Sequence, residues 1–353
     1  SNGILLIDQS GTNPDANRFT GTTPVVNLRA GTVQVNGNAT ASSSTTIPTL
    51  NLASGAGSVF INGAAGDTTT LNVTALTRGA NRGTLVVRAA NLGTSGANGT
   101  ILNVGNLASL PVADFIGTGS ATNLTDTTAP ILRWAGYWAP SAFSDFLTYG
   151  STGLVPLAAG QYSVVSSLAG NLGDNVRLNA AGTVNSDAVI NSLMLGSTAA
   201  SFGLSLATNS ALRIESGAVI QPASGITVGP TTTGQFSVLE FGSREAIFTG
   251  GTLTINSIIS TTGGLTRGSS ATGNSILLAA VPNAITGTIA MNSNGVNSTT
   301  GFINFYNENS LGLPTNPIVL SGGSLTYLGP KVNWSRSFTI TDVGGSIALG
   351  SYS

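Results

Sequence analysis

The chain has 353 residues, of which 41% are hydrophobic and only 7% charged, against about 25% charged in an average globular protein. Its net charge is −1, which leaves no basic surface for nucleic acid or anionic lipid. Cys and His are both absent, which excludes disulfides, thiolate chemistry, Cys/His zinc sites and the usual imidazole base.

Taken in chain order, the sequence is a run of short apolar–polar alternations separated by Gly, Asn, Ser or Asp. They begin with VVNL (25–28), TVQV (32–35), LNL (50–52), LNV (71–73), TLVV (84–87) and ILNV (101–104). They resume with ALRI (211–214), TLTI (252–255), GTIA (287–290), PIVL (317–320) and SLTY (324–327). Period-two alternation predicts strands, and helical periodicity is almost missing. No apolar run approaches the ~18–20 residues that span a bilayer; one of the longest is ILLAAV (276–281). No membrane-spanning segment is therefore expected. The opening SNGILLIDQ has neither Met nor a basic stretch, so no signal peptide is expected within this sequence.

Two phrases recur. LRAGTVQVNG (28–37) returns in pattern as LSGGSLTYLG (320–329), and a third version runs from Phe248 through Gly250 and Gly251 to Leu253 and Ile255. In the first, Val26 and Leu28 are expected inward, Ala30 and Gly31 at a corner, and Val33 and Val35 inward again. The step from Gly251 to Gly323 suits three coils of about 20–29 residues. The second phrase, Leu-Thr-Arg-Gly leading into an apolar strand, occurs at 76–87 and at 265–278. Such repetition predicts stacked coils with unequal corner loops. The fold class read from these residues is all-β, one elongated parallel β-helix, or solenoid, over residues 1–353.

Residues 107–163 interrupt the rhythm as an irregular, aromatic-rich excursion packed on the solenoid. Within 131–162 lie Trp134, Tyr137, Trp138, Phe143, Phe146, Tyr149 and Tyr162. Pro140 and Pro156 argue against central strands there. The rings serve either to seal a long loop or to form an exposed platform. In the second case Trp134, Tyr137, Trp138, Phe143, Phe146 and Tyr149 are the candidate contacts for a glycan or protein partner.

These stretches resemble the autotransporter-associated β-strand repeat proteins of exported bacterial passengers. GGTLTIN (250–256), GGLTRG (263–268) and NSLGLPTNPIVLSGGSLTYLG (309–329) carry the likeness. So do Trp138, Asp145, Phe146, Tyr149, Gly153, Pro156 and Leu157, which follow an aromatic phrase common in that family. The resemblance covers most of the chain. It implies a right-handed parallel β-helix located extracellularly or at the cell surface, and it transfers no catalytic residue.

Chemistry is sparse. No phosphate-binding loop is present, and gly-rich spots such as GANRG (79–83) have no following helix. Lys331, the single lysine, reads as a solvated loop residue. AGNLGDN (169–175) and NSD (185–187) read as turns rather than calcium loops. Glycoside cleavage needs two carboxyls facing one bond. Glu240 and Glu245 are the closest pair along the chain, and stacking offers Glu215 and Glu240, about one coil apart, with Arg213 and Arg244 able to join them. The alternation of ALRIESG instead places Arg213 and Glu215 on the outer surface. No enzyme activity, cofactor or metal is expected. The sequence reads first as an extracellular structural protein that associates with itself in a fibre, filament or sheath. It reads second as a glycan-binding adhesin, and third as a polysaccharide-active enzyme.

Overall fold

The computed structural model describes residues 3–11, 18–19, 23–107, 114–139, 142–196, 201–222, 225–232, 234–268, 275–279, 282–293, 301–330 and 334–349. The chain is a β-solenoid of about 12 turns, 55% strand and without α-helix among the described residues. Nearly all strand pairs are parallel and join one coil to the next.

The coils stand in two stacks. The first has a seven-stranded wall that starts at Ile4–Asp8 and ends at Gly153–Pro156, and a four-stranded wall from Val25–Arg29 to Thr100–Val104. The long strand Ser43–Ser54 turns a corner at Pro48. Its pairing with Thr69–Arg78 resumes beyond it, from Ile47 opposite Val73 to Thr49 opposite Ala75. The second stack has a nine-stranded wall, from Ser163–Val164 to Phe338–Ile340. Its other two walls meet in the strand Gly182–Ile190, which pairs with both Gly203–Leu206 and Ala211–Ile214.

Inward side chains explain the stacking. Val33, Val59 and Val87 follow one another in register at the core of the first stack. Leu253, Ile276, Ile303 and Leu325 do the same in the second. That column runs three coils from Leu253 to Leu325, so the repeated phrase marks the same corner three turns apart. The opening phrase also folds as its pattern predicts, with Leu28, Val33 and Val35 buried and Ala30 in the left-handed region at φ 55°. The matching corners carry Gly250 at φ 97° and Gly322 at φ 87°. A Cβ on Gly250 would lie 2.0 Å from the Gln221 carbonyl oxygen, so only glycine fits.

Outside, amides continue the ladder. Asn51 donates to Asn27 at 2.8 Å, and Thr77 donates to Asn51 at 3.0 Å. A parallel row joins Asn72 to Ser44 and Asn103 to Asn72. Neutral side chains stack here without the repulsion that like charges on adjacent rungs would cause.

The Leu-Thr-Arg-Gly phrase has a corner function. Arg78 donates to the carbonyls of Arg82 and Gly83. Arg267, fully buried, donates to those of Phe248, Gly250 and Gly251. In each case the guanidinium bonds to main-chain carbonyls at the corner. Burial holds the Arg267 pKa down to about 9.

The two stacks lie side by side and run in opposite directions. Asn175 and Asn191, early in the second stack, bond to the carbonyls of Ala129 and Ile116. Farther on, Glu245 meets Arg78, Arg82 and Arg133. Ala56 donates to Ser293 at 3.0 Å, and Arg29 pairs with Asp342 at 2.5 Å. First-stack numbers fall as second-stack numbers rise. Gly55 permits the close approach, since its Cβ position is 3.1 Å from the Ser293 carbonyl oxygen. A third cluster, containing Ile131, Phe146, Tyr162, Met194 and Ile220, fills the seam between the stacks.

The described part of the 107–163 segment completes the first stack before the chain enters the second at Ser163–Val164. Its 114–130 part is irregular, and Asp126 accepts from Ser120 and Thr128. Ala135–Ala139 then pairs in parallel with Thr84–Ala89, and an antiparallel hairpin of Ala142–Gly150 and Gly153–Pro156 completes the wall. Pro156 sits at the end of the outermost strand, where no ladder donor is needed. Pro140 lies outside the described residues.

Candidate functional site

The aromatic segment divides between core and surface. Trp134 is 1% exposed and belongs to the first-stack core, while Phe146, equally buried, belongs to the seam. Tyr137 is half-buried and donates its hydroxyl to the Ala89 carbonyl at 2.6 Å. Tyr149, also half-buried, lies with its hydroxyl 3.4 Å from the Val104 amide. Phe143 is on the strand Ala142–Gly150, but its side chain lies outside the described residues. Trp138 borders an outer groove. A single six-ring platform is therefore not what these residues build, because alternation sends neighbours to opposite faces.

Beside Phe146, Asp145 is part of the seam. It accepts from both Tyr162 and Arg177, the latter a second-stack residue at 3.1 and 3.2 Å from its two oxygens. Burial raises the Asp145 pKa to about 6, against the opposing pull of Tyr162 and Arg177. The folded state thus holds this proton more tightly than the unfolded chain, whose carboxyl titrates near 3.8. Stability from this group is complete below that value and falls as pH rises to about 6. A series of urea midpoints between pH 4 and 7 is expected to show this decline. Asp145→Asn should flatten it, and an unchanged slope in the variant would refute the assignment.

The outer groove runs across three rungs of the seven-stranded wall and has a volume of about 370 Å³. Phe60, Arg88 and Trp138 stand in register on its floor. The Arg88 guanidinium lies 5.2 Å from the Phe60 ring centre and 5.4 Å from that of Trp138, within cation–π range. Asn62, Asn91 and Asn98 line its rim, and all three are exposed. Among the described residues no Asp or Glu lines it. Of these residues the sequence reading singled out Trp138 alone. The missed signal is the parity of GSVFIN and TLVVRA: Phe60 lies between buried Val59 and Ile61, and Arg88 between buried Val87 and Ala89. An aromatic at an outward position of an alternating strand is a surface feature.

The carboxylates fall differently from the one-coil estimate. Glu240 lies opposite Arg213, not beside Glu215. Leu212 and Ile214 take the core, and Arg213 and Glu215 are exposed as the alternation requires. Glu215, Arg213 and Arg244 do share a seam groove of about 220 Å³ with Ile116 and Phe241. Glu240 is not among its lining residues. Lys331 lies outside the described residues.

Glu245 is a buried anchor. Arg78, Arg133 and Arg82 approach it at 2.7, 3.1 and 3.5 Å, and the Thr266 hydroxyl donates to it. Burial opposes its ionisation, but the charges of Arg78, Arg82 and Arg133 outweigh this and bring its pKa down to about 2. Arg133 itself is held down to about 10, first by burial.

Among the described residues no group of three or more acidic side chains is placed to hold a metal ion, and no helix is long and apolar enough to cross a membrane. Comparison with family models, curated proteins and solved structures returns no match.

Proposed function

We propose that this chain is an extracellular structural protein, a self-associating unit or segment of a surface fibre, filament or sheath. The observation that carries the reading is the end of the molecule where Arg29 meets Asp342. There the strands Ile4–Asp8 and Ser346–Leu349 are outermost in their sheets. Ile4 is 64% exposed, Leu6 51% and Leu349 74%. Phe19 packs against the first-stack core, and in the second stack Trp334 meets the rings of Phe305 and Tyr327 and stacks on Phe338. Apart from the Asp8 carbonyl, which accepts from Arg18 at 2.6 Å, these two strand edges have no neighbouring strand among the described residues. They carry neither Lys nor Pro, the residues that commonly blunt an edge against pairing.

The opposite end of the first stack is closed by the antiparallel hairpin at Gly153–Pro156. In this reading a second copy sits edge to edge on the open end in an isologous, closed pair, and the fibre or sheath grows by further contacts between such pairs. A chemically neutral surface lets copies approach closely, and a chain without Cys avoids misoxidation on export. The likeness to exported passenger repeats agrees with this location and is part of the proposal. Sedimentation of the intact chain over a range of concentrations tests it. We expect a dimer or larger species, reduced to monomer by Leu6→Lys combined with Ile347→Lys, with the circular dichroism spectrum unchanged. A monomer at every concentration would overturn the reading.

A further inference from the structure

We propose that the outer groove of the first stack binds an acidic polysaccharide, with Arg88 taking a uronic-acid carboxylate. This inference does not depend on self-association.

The floor of the groove offers ring, cation, ring on three successive rungs, Phe60, Arg88 and Trp138, about 4.8 Å apart. An extended sugar chain laid across the strands meets all three. The apolar faces of pyranose rings rest on aromatic rings, which bury area with few rotors to freeze. Amides at Asn62, Asn91 and Asn98 supply both donors and acceptors for hydroxyls.

Charge selects among sugars. Arg88 is exposed, and no carboxylate pairs with it among the described residues. Its fork of donors is oriented by the flanking rings at 5.2 and 5.4 Å and matches a carboxylate in two-point geometry. Among the described residues the lining contains no acid that would repel such a ligand. Held between two outward aromatic rings, this guanidinium faces no acid among the described residues, which leaves its donors for a ligand. The groove volume, about 370 Å³, falls in the range of small-ligand sites.

Calorimetric titration of the intact chain decides the matter, with three probes of equal length: an oligogalacturonate, a neutral cello-oligosaccharide and a sulfated chondroitin oligosaccharide. We expect the oligogalacturonate to bind at least tenfold more tightly than the neutral probe and to weaken with added salt. Arg88→Gln should remove that preference, lowering oligogalacturonate affinity tenfold or more and leaving the neutral probe unaffected. Trp138→Ala should weaken both. Arg88 is at the surface, so its variant should keep the wild-type melting temperature, and Asn62→Ala offers a second exposed position expected to weaken binding. Absence of oligogalacturonate binding, equal affinity for the neutral probe, tighter binding of the sulfated one, or an Arg88→Gln variant that binds as wild type would each overturn the proposal.

Discussion

Glu245→Ala is expected to destabilise the protein by about 3–5 kcal/mol, the range for removing one partner of a buried ion pair. The side chain is 9% exposed and answers three guanidinium groups, those of Arg78, Arg82 and Arg133. Its loss removes the carboxylate that the guanidinium groups of Arg78, Arg82 and Arg133 share, and it strands the Thr266 hydroxyl. Glu245→Gln keeps the shape but not the charge and should cost nearly as much. The pair Arg29–Asp342 gives the contrast. Its side chains are 58% and 49% exposed, so Asp342→Ala should change stability by only about 0–1 kcal/mol. Urea unfolding of the three variants checks the ranking. If Glu245→Ala proved no worse than Asp342→Ala, the seam would not rest on this cluster.

The cluster also has a pH signature. The folded pKa of Glu245, about 2, is depressed from 4.5. Its contribution is present above the unfolded value and is lost as pH falls towards 2. Asp145 acts in the opposite sense between about 4 and about 6.

Trp134→Ala should cost about 3–5 kcal/mol through the cavity it leaves, whereas Trp138→Ala should cost far less. Trp134 is 1% exposed within the first-stack core, on the rung whose carbonyl accepts from Leu85. Its indole nitrogen finds no acceptor among the described residues. Trp134→Phe therefore sheds an unsatisfied donor while shrinking the ring, and it should be milder than the alanine change. Thermal melts of the three variants suffice. Equal losses for Trp134→Ala and Trp138→Ala would contradict the inward and outward assignment of the two rings.

Of the candidate binding groove, only Trp138 was legible beforehand. Composition drew attention to the dense aromatic segment, but density does not say which face a ring takes. Phe60 and Arg88 come from strands far upstream and join Trp138 only through register. The pairing of Glu215 with Glu240 failed for the same reason. Coil length is not constant: Val176 pairs with Leu193, but Leu71 pairs with Leu102. A separation of one average coil therefore does not place two residues side by side.

The sequence by itself determined the strands, the direction of their side chains and the corners between them. Alternation has a period of two, and a left-handed corner needs a small residue within a few positions, so both are local properties. That is why Leu28, Val33, Val35, Leu253 and Leu325 are buried where the pattern placed them. Tertiary structure alone decided that the coils double back into two stacks. The bonds that hold the seam join residues 112, 167 and 181 positions apart. Arg133, Arg78 and Arg82 acquire their roles only when the second stack lies alongside, because a buried charge is defined by what it meets and not by its neighbours in the chain.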